Sequence, residues 1–208
     1  MKNRVTVNGG GAVTKWAQQH FIGGHPAIDL ANAVFNRRVP EPDNELLKSA
    51  RDIGNWVKAS GLAGATEAEA VAGIAGESFV EGIHAVREAT AQIFGSIAAK
   101  EALATEELCL LCVSAASGLA GGAIELDGAT PHLALARWRD PDAVTAALAM
   151  LAIEAFFTLP RERLRSCPRC GWLFLDTSRG GKRRWCSMQV CGNREKVSRH
   201  RQDALTGR

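Results

Sequence analysis

Cys167-Pro168-Arg169-Cys170, fifteen further residues, then Cys186-Ser187-Met188-Gln189-Val190-Cys191: this stretch decides how the end of the chain folds. Each short pair sits on a tight turn that aims two sulfurs at one point. The residues between are long enough for a hairpin that brings the pairs together. Zn²⁺ favours tetrahedral thiolate ligation, and a four-cysteine shell leaves no position for a substrate water. Cys167, Cys170, Cys186 and Cys191 are therefore expected to hold one structural Zn²⁺. A segment this short cannot build an adequate core, so the metal supplies the folding energy.

Around the cysteines the chain is basic. Residues 161–208 hold thirteen Lys and Arg against four Asp and Glu, a net of +9. The whole chain is only +3, so residues 1–160 carry −6. Zinc on four thiolates carries −2, which leaves the segment near +7. Such asymmetry suggests a nucleic-acid-binding segment attached to an ordinary acidic domain. A disordered basic tail would lack the interleaved Trp172, Phe174 and Trp185. Trp172-Leu-Phe-Leu175 and Arg184-Trp185 alternate and are expected to pair as strands, with Ser178-Arg-Gly-Gly181 as their turn. After Cys191 the residues read as a helix with Asn193 as its cap.

Residues 1–160 read mostly as helices. Pro26 opens one through Ile28, Leu30, Ala31 and Val34. Leu46, Leu47, Ile53, Trp56 and Val57 recur at helical spacing until Ser60-Gly61. Thr66-Glu-Ala-Glu69 has the form of a capping box. A longer helix covers Phe79 to about Ala99, and Thr105-Glu-Glu begins another that ends near Gly118. Residues 123–138 look like two short alternating strands around a turn at Asp127-Gly128. Asp140-Pro141 restarts a helix that runs to Leu159-Pro160, and residues 160–165 read as the connection between two parts, 1–160 and 161–208. The fold class is α+β: a mainly helical first part with a short hairpin, then a treble-clef-like zinc finger. Metal removal is expected to unfold residues after about 165 and leave the helical part mostly intact.

Chemistry in the first part is faint. Cys109-Leu-Leu-Cys112 lies in an apolar helical run without a second pair and reads as buried thiols. Asp29 and Asn32 share a helix face near His25, which suggests a small-molecule pocket or helix-start and core polar residues. No nucleophile motif accompanies them, so no enzyme activity is expected. No run of eighteen apolar residues and no apolar leader occur, so neither a membrane span nor a signal peptide is expected. Six cysteines without a secretory context fit metal ligation or buried thiols in the cytoplasm.

The stretch CPRCGWLFLDTSRGGKRRWCSMQVCGNREKVSRHR closely resembles the CGNR zinc-finger family, named for the residues that stand here as Cys191-Gly192-Asn193-Arg194. That family pairs the finger with an N-terminal ABATE domain. The resemblance is weaker there: a Leu-Asp-Phe-x-Asn-Thr pattern appears as Ile28-Asp29-Leu30-Ala31-Asn32-Ala33, keeping Asp29 and Asn32 but not the hydroxyl. The resemblance implies a stress-induced, ligand-sensing transcription regulator.

The leading expectation is a DNA-binding regulator. The C-terminal helix would present Arg194, Lys196, Arg199 and Arg201, and the hairpin Lys182, Arg183 and Arg184. Most would meet phosphates, which position a protein without reading sequence. For this helix the plainer alternative is a solvated face packed through Val197 and Leu205. An RNA- or ribosome-associated module is the second class, with Trp172, Phe174 and Trp185 either stacking bases or packing the finger. A protein-interaction adaptor is the third.

Overall fold

Pro26 does open the first helix. In the computed structural model, which describes residues 13–206 apart from 40, 104, 121, 123, 128–129 and 134, α1 (Pro26–Ala31) starts on His25, whose ring accepts from the Ala27 N–H. It ends at Ala31 instead of reaching Val34, because Val34 makes a β-bridge with Glu45. Helix α2 (Ala50–Ala59) starts on the Ser49 hydroxyl, which accepts from the Asp52 N–H, so Leu46 and Leu47 precede it. Gly61, at φ +78°, stops it as expected. Helix α3 (Ala65–Ala72) begins on Gly64, so Thr66 already lies in its first turn and the expected capping box does not form. Gly54 lets α2 and α3 touch backbone to backbone: a Cβ there would sit 2.3 Å from the Ala68 carbonyl oxygen.

The next elements are α4 (Glu77–Ala99), α5 (Thr105–Ala120), β1 (Ile124–Asp127), β2 (Thr130–Leu133) and α6 (Pro141–Thr158). The Asp140 carboxylate caps α6 by accepting from the Asp142 and Ala143 N–H groups. Strands β1 and β2 pair antiparallel from Ile124↔Leu133 to Asp127↔Thr130; the Gly128 of the expected turn lies outside the described residues. By length and composition α6 could cross a membrane, but it buries Val144, Leu148, Ala149, Ala152 and Phe156 in the core that α4 also fills. At 23 residues, about 34 Å, α4 is the long central element and buries Phe79, Ile83, Val86, Ile93 and Phe94. Cys109 and Cys112 are exposed on α5, against the buried thiols expected.

The C-terminal part departs most from expectation. Strand β4 (Leu173–Leu175) pairs antiparallel with β3 (Leu164–Ser166), not with Arg184-Trp185. The first cysteine pair itself turns the chain back, so the partner strand lies just before it, in the segment that reads as a connection. Leu164, Leu173 and Leu175 belong to the same core as the helices. Burying three leucines contributes roughly 5–9 kcal/mol, comparable to the whole stability of a small domain. The outer edge of β4 is occupied too. The Asn32 carboxamide donates to the Leu173 carbonyl and accepts from the Leu173 N–H, both at 2.8 Å. The Leu175 N–H donates to the Gly23 carbonyl at 2.8 Å. The Trp172 indole N–H donates to the Val34 carbonyl at 2.6 Å.

With this shared core, one common transition is expected in place of independent unfolding of the C-terminal part. Helix content and tryptophan fluorescence, to which Trp172 and Trp185 of the C-terminal part contribute, should change together in denaturant. Asn32→Ala strands a buried N–H and a buried carbonyl, each costing about 1–3 kcal/mol, so a loss of about 2–5 kcal/mol is expected. Two separated transitions in the wild-type chain would show that the junction does not couple the parts.

Candidate metal centre

The first cysteine pair is a hairpin turn tied by backbone bonds. The Cys167 N–H donates to the Trp172 carbonyl at 2.8 Å, and the Gly171 N–H to the Cys167 carbonyl at 2.9 Å. Gly171 has φ +77°, which L side chains rarely adopt, and a Cβ on it would come 3.0 Å from the Arg37 side chain. The Arg37 N–H donates to the Cys170 carbonyl at 2.9 Å, fastening the turn to the helical part. The second pair enters the last helix. Ser187 caps a π-helical turn, Met188–Gly192, by accepting from the Val190 N–H. That turn carries Cys191 and runs straight into α7 (Asn193–Thr206). Asn193 is thus inside the helical stretch, donating to the Gln189 carbonyl at 3.2 Å, and is not its cap.

These turns bring all four expected ligands together. The Cys167, Cys170, Cys186 and Cys191 sulfurs lie within 4.8 Å of one another. The Cys170–Cys186 and Cys186–Cys191 separations are 3.4 and 3.5 Å, too long for the roughly 2.05 Å of a disulfide. Tetrahedral ligation at about 2.3 Å places sulfurs about 3.8 Å apart, so the cage has the size of a metal site. Its electrostatics suit a cation. The Cys170 and Cys186 thiols, with backbone N–H groups of the same residues, hold the Cys167 thiol far below its ordinary range. The next protons are then hard to remove. The Cys167 thiol beside it pushes Cys170 up to about 12, and Cys167 and Cys170 push Cys186 higher still. Burial raises Cys191. Each thiolate opposes the ionisation of its neighbours, and a bound cation would let the four thiols ionise together.

The basic residues separate into two groups. Arg183 turns inward, against expectation. Its guanidinium lies 4.4 Å from the Phe174 ring centroid and donates to the Trp185 and Cys186 carbonyls, so it braces the second cysteine pair. Phe174 and Trp172 are buried with the cysteines, and neither offers a face to a base. Lys182, Arg184, Arg194, Lys196, Arg199 and Arg201 are exposed. Arg184 lies over the Trp185 ring at 4.9 Å, and Arg199 reaches Glu195 only at 4.0 Å. Val197 is 50 % exposed, so the expected packing of α7 through it is absent; the Leu205 side chain lies outside what is described.

Two supporting residues carry little signal in the sequence. The buried Asp176 carboxylate accepts from the Ser178 and Arg183 N–H groups at 2.9 and 2.8 Å, closing the loop that shows Arg179 and Lys182. Arg169 donates to Glu195 at 3.1 Å and to Ser198 at 3.5 Å, tethering α7. Only the Asp-x-Ser spacing of an Asx turn hinted at Asp176.

Asp29 and Asn32 do share a face, but that face meets protein. Asn32 is 1 % exposed and its carboxamide is spent on Leu173. The Asp29 carboxylate accepts from the Gly23 N–H at 2.7 Å. The expected ligand pocket at these residues is a junction instead. Burial pushes the Asp29 carboxyl up to about 7, against the lowering effect of the Gly23 and Ile22 backbone. The folded state therefore holds a proton that the unfolded chain releases near pH 4. That contribution is complete below about pH 4 and is lost as pH rises to about 7. Asp29→Asn keeps an acceptor for Gly23 and should remove this decline when denaturation midpoints are compared across the window. An identical slope in both proteins would mean that Asp29 folds ionised.

Comparison with known families agrees with this geometry. The CGNR zinc finger profile matches residues 163–203, which hold all four cysteines. Among curated proteins none matches the chain. The ABATE profile, described as "Putative stress-induced transcription regulator", matches residues 24–159, more than half of the chain, and the protein therefore belongs to the ABATE family and carries a CGNR zinc finger behind that domain.

Proposed function

We propose that the protein is a DNA-binding transcription regulator of the cytoplasm, without enzymatic activity, whose cysteine cage holds Zn²⁺ and whose α7 meets the duplex. The observation that carries this reading is that no residue of α7 from Asn193 to Ala204 is buried. A helix that contributes nothing to the core and is rich in cations is free to serve as a recognition surface. Glu195 and Ser198 face Arg169. Helical spacing puts Lys196 and His200 on the side away from that tether, with Arg194, Arg199 and Arg201 on its flanks. Of the three aromatics expected to stack on RNA bases, Trp172 and Phe174 are buried and half-buried Trp185 is covered by Arg184, which favours duplex DNA. A four-thiolate shell has no open position, so the metal organises rather than reacts.

In this reading a small effector would not sit at Asp29 and Asn32. It would take the groove of about 510 Å³ between the helical part and the finger, whose walls include Phe35, Val39, Trp172, Val190 and Arg194. That volume lies within the usual range of ligand sites, and a ligand there would touch both parts at once.

Two outcomes are expected. Freshly prepared, reduced protein should hold about one Zn²⁺ per chain, the load a single four-thiolate cage takes, and Cys186→Ser should lose it. Metal analysis checks this, and clearly substoichiometric zinc would count against the assignment. Duplex binding should weaken with salt at a log–log slope of about −4 to −5 if roughly five exposed cations meet phosphates. Arg201→Gln should flatten that slope by about one unit. Arg183→Gln should act differently, through stability of the second cysteine pair. Absence of salt-dependent binding by the zinc-loaded protein at low ionic strength would sink the reading.

A further inference from the structure

The pair Cys109-Leu-Leu-Cys112 belongs neither to the core nor to the metal cage. Both thiols are exposed on α5. Residues three apart on a helix are neighbours, with Cβ atoms about 5–6 Å apart. A helical side chain leans back over the preceding turn, so Cys112 leans toward Cys109. A disulfide needs Cβ atoms about 3.5–4.5 Å apart, and closing one here would distort that turn of α5. A single atom bound to both sulfurs asks less of the helix. At a thiolate bond of about 2.3 Å, two sulfurs on one atom stand about 3.8 Å apart at a tetrahedral angle. Each sulfur is one bond beyond its Cβ, and rotation about that bond brings the two to this separation with the backbone unmoved. The pair is better placed to share one bridging atom than to form a disulfide.

We propose that Cys109 and Cys112 form a second thiol site, which takes trivalent arsenic, either inorganic or carrying one organic group. Ligand count and charge narrow the class. Zn²⁺ takes four ligands, and this pair supplies two. Thiolate sulfur is a soft donor that suits ions such as Cu⁺, but two thiolates on Cu⁺ leave a net negative charge. From Leu108 to Ala120 no charged side chain of α5 is present to offset it. Glu106, one turn before Cys109 on the same face, opposes it. Trivalent arsenic avoids the charge. Two sulfur–arsenic bonds replace two oxygen–arsenic bonds of arsenous acid, and each thiol proton leaves with a hydroxide as water. No electron is transferred, and the adduct is as neutral as the thiols were. It would lie beside Val113 and Ala116, which are exposed and apolar. The cage is the contrasting case: four sulfurs converge there, and three of its four cysteines are buried. The second site requires neither zinc nor nucleic-acid binding.

Phenylarsine oxide tests the site on the metal-loaded full chain. Excess 2-mercaptoethanol is included, because it reverses adducts held by a single sulfur. Native mass spectrometry should show one probe per chain, a gain of the probe's mass less one water, with the zinc retained. Cys109→Ser and Cys112→Ser should each take the bound probe from one to none. Circular dichroism should not change, since both side chains are exposed. Cys112→Ser combined with Ser114→Cys keeps two thiols but turns them to different sides of α5, and should also bind none. Zinc is measured before the probe is added, so an empty cage is recognised separately; either single substitution should then still lower the probe count by one. A wild-type chain that holds no probe in the monothiol overturns the proposal. So does a single-serine variant that keeps its full count, or probe uptake that expels zinc in step, since the cage would then be the ligand.

Discussion

The peptide groups of Leu173 face protein rather than water, and the Asn32 carboxamide is what satisfies them. A buried strand edge with unpaired N–H and carbonyl groups would cost more than most side-chain contacts return. Asn32 meets the need with one side chain that donates and accepts at once, acting as a one-residue extension of the sheet. Gly23 does the same for Leu175 through its backbone. With its outer edge filled, β4 can place Leu173 and Leu175 in the helical core while Phe174 points to the cysteines. One strand thus serves two cores. The metal cage depends on the helical part for its position, and the helical part depends on the cage's hairpin for part of its packing.

What was legible in the sequence follows from range. The cysteine cage was readable because ligand spacing is local chemistry, and α4 because twenty-three residues of periodic burial give a strong signal. Strand β3 was not, since three residues have no period to read and Arg163-Leu164-Arg165 has the charge of a connector. Trp172-Leu-Phe-Leu175 was recognised as a strand, but Arg184-Trp185 looked like its partner when the true one lay before the cysteines. Asp29 and Asn32 were correctly placed on one face; what that face meets is 141 residues away in the chain, beyond any local pattern. Cys109 and Cys112 were misjudged for a different reason. Apolar surroundings in a sequence imply burial only when something is present to bury them.

Net charge overstates what the finger can offer a partner. Arg183 is spent on the Phe174 ring and on two carbonyls, and Arg169 on Glu195 and Ser198. Arg163 donates to the Ser178 carbonyl, and Arg165 to the Glu162 and Leu164 carbonyls. Guanidinium groups suit this work because a planar fork can bridge several acceptors while stacking on a ring. Framework arginines of this kind hold the turns and the last helix around the cage. The cations left on display are those of α7 and the loop tip, which makes placement, not count, the quantity that matters for recognition.

Placement is also where the two ends of the molecule meet. Helix α7, tethered by Arg169 to a hairpin that is itself bonded to Asn32, Gly23 and Val34, has little freedom to swing relative to the helical core. Loosening the junction at Asn32 would free α7 to move against the core without changing a single cation on it, which separates a geometric contribution to any duplex binding from the electrostatic one.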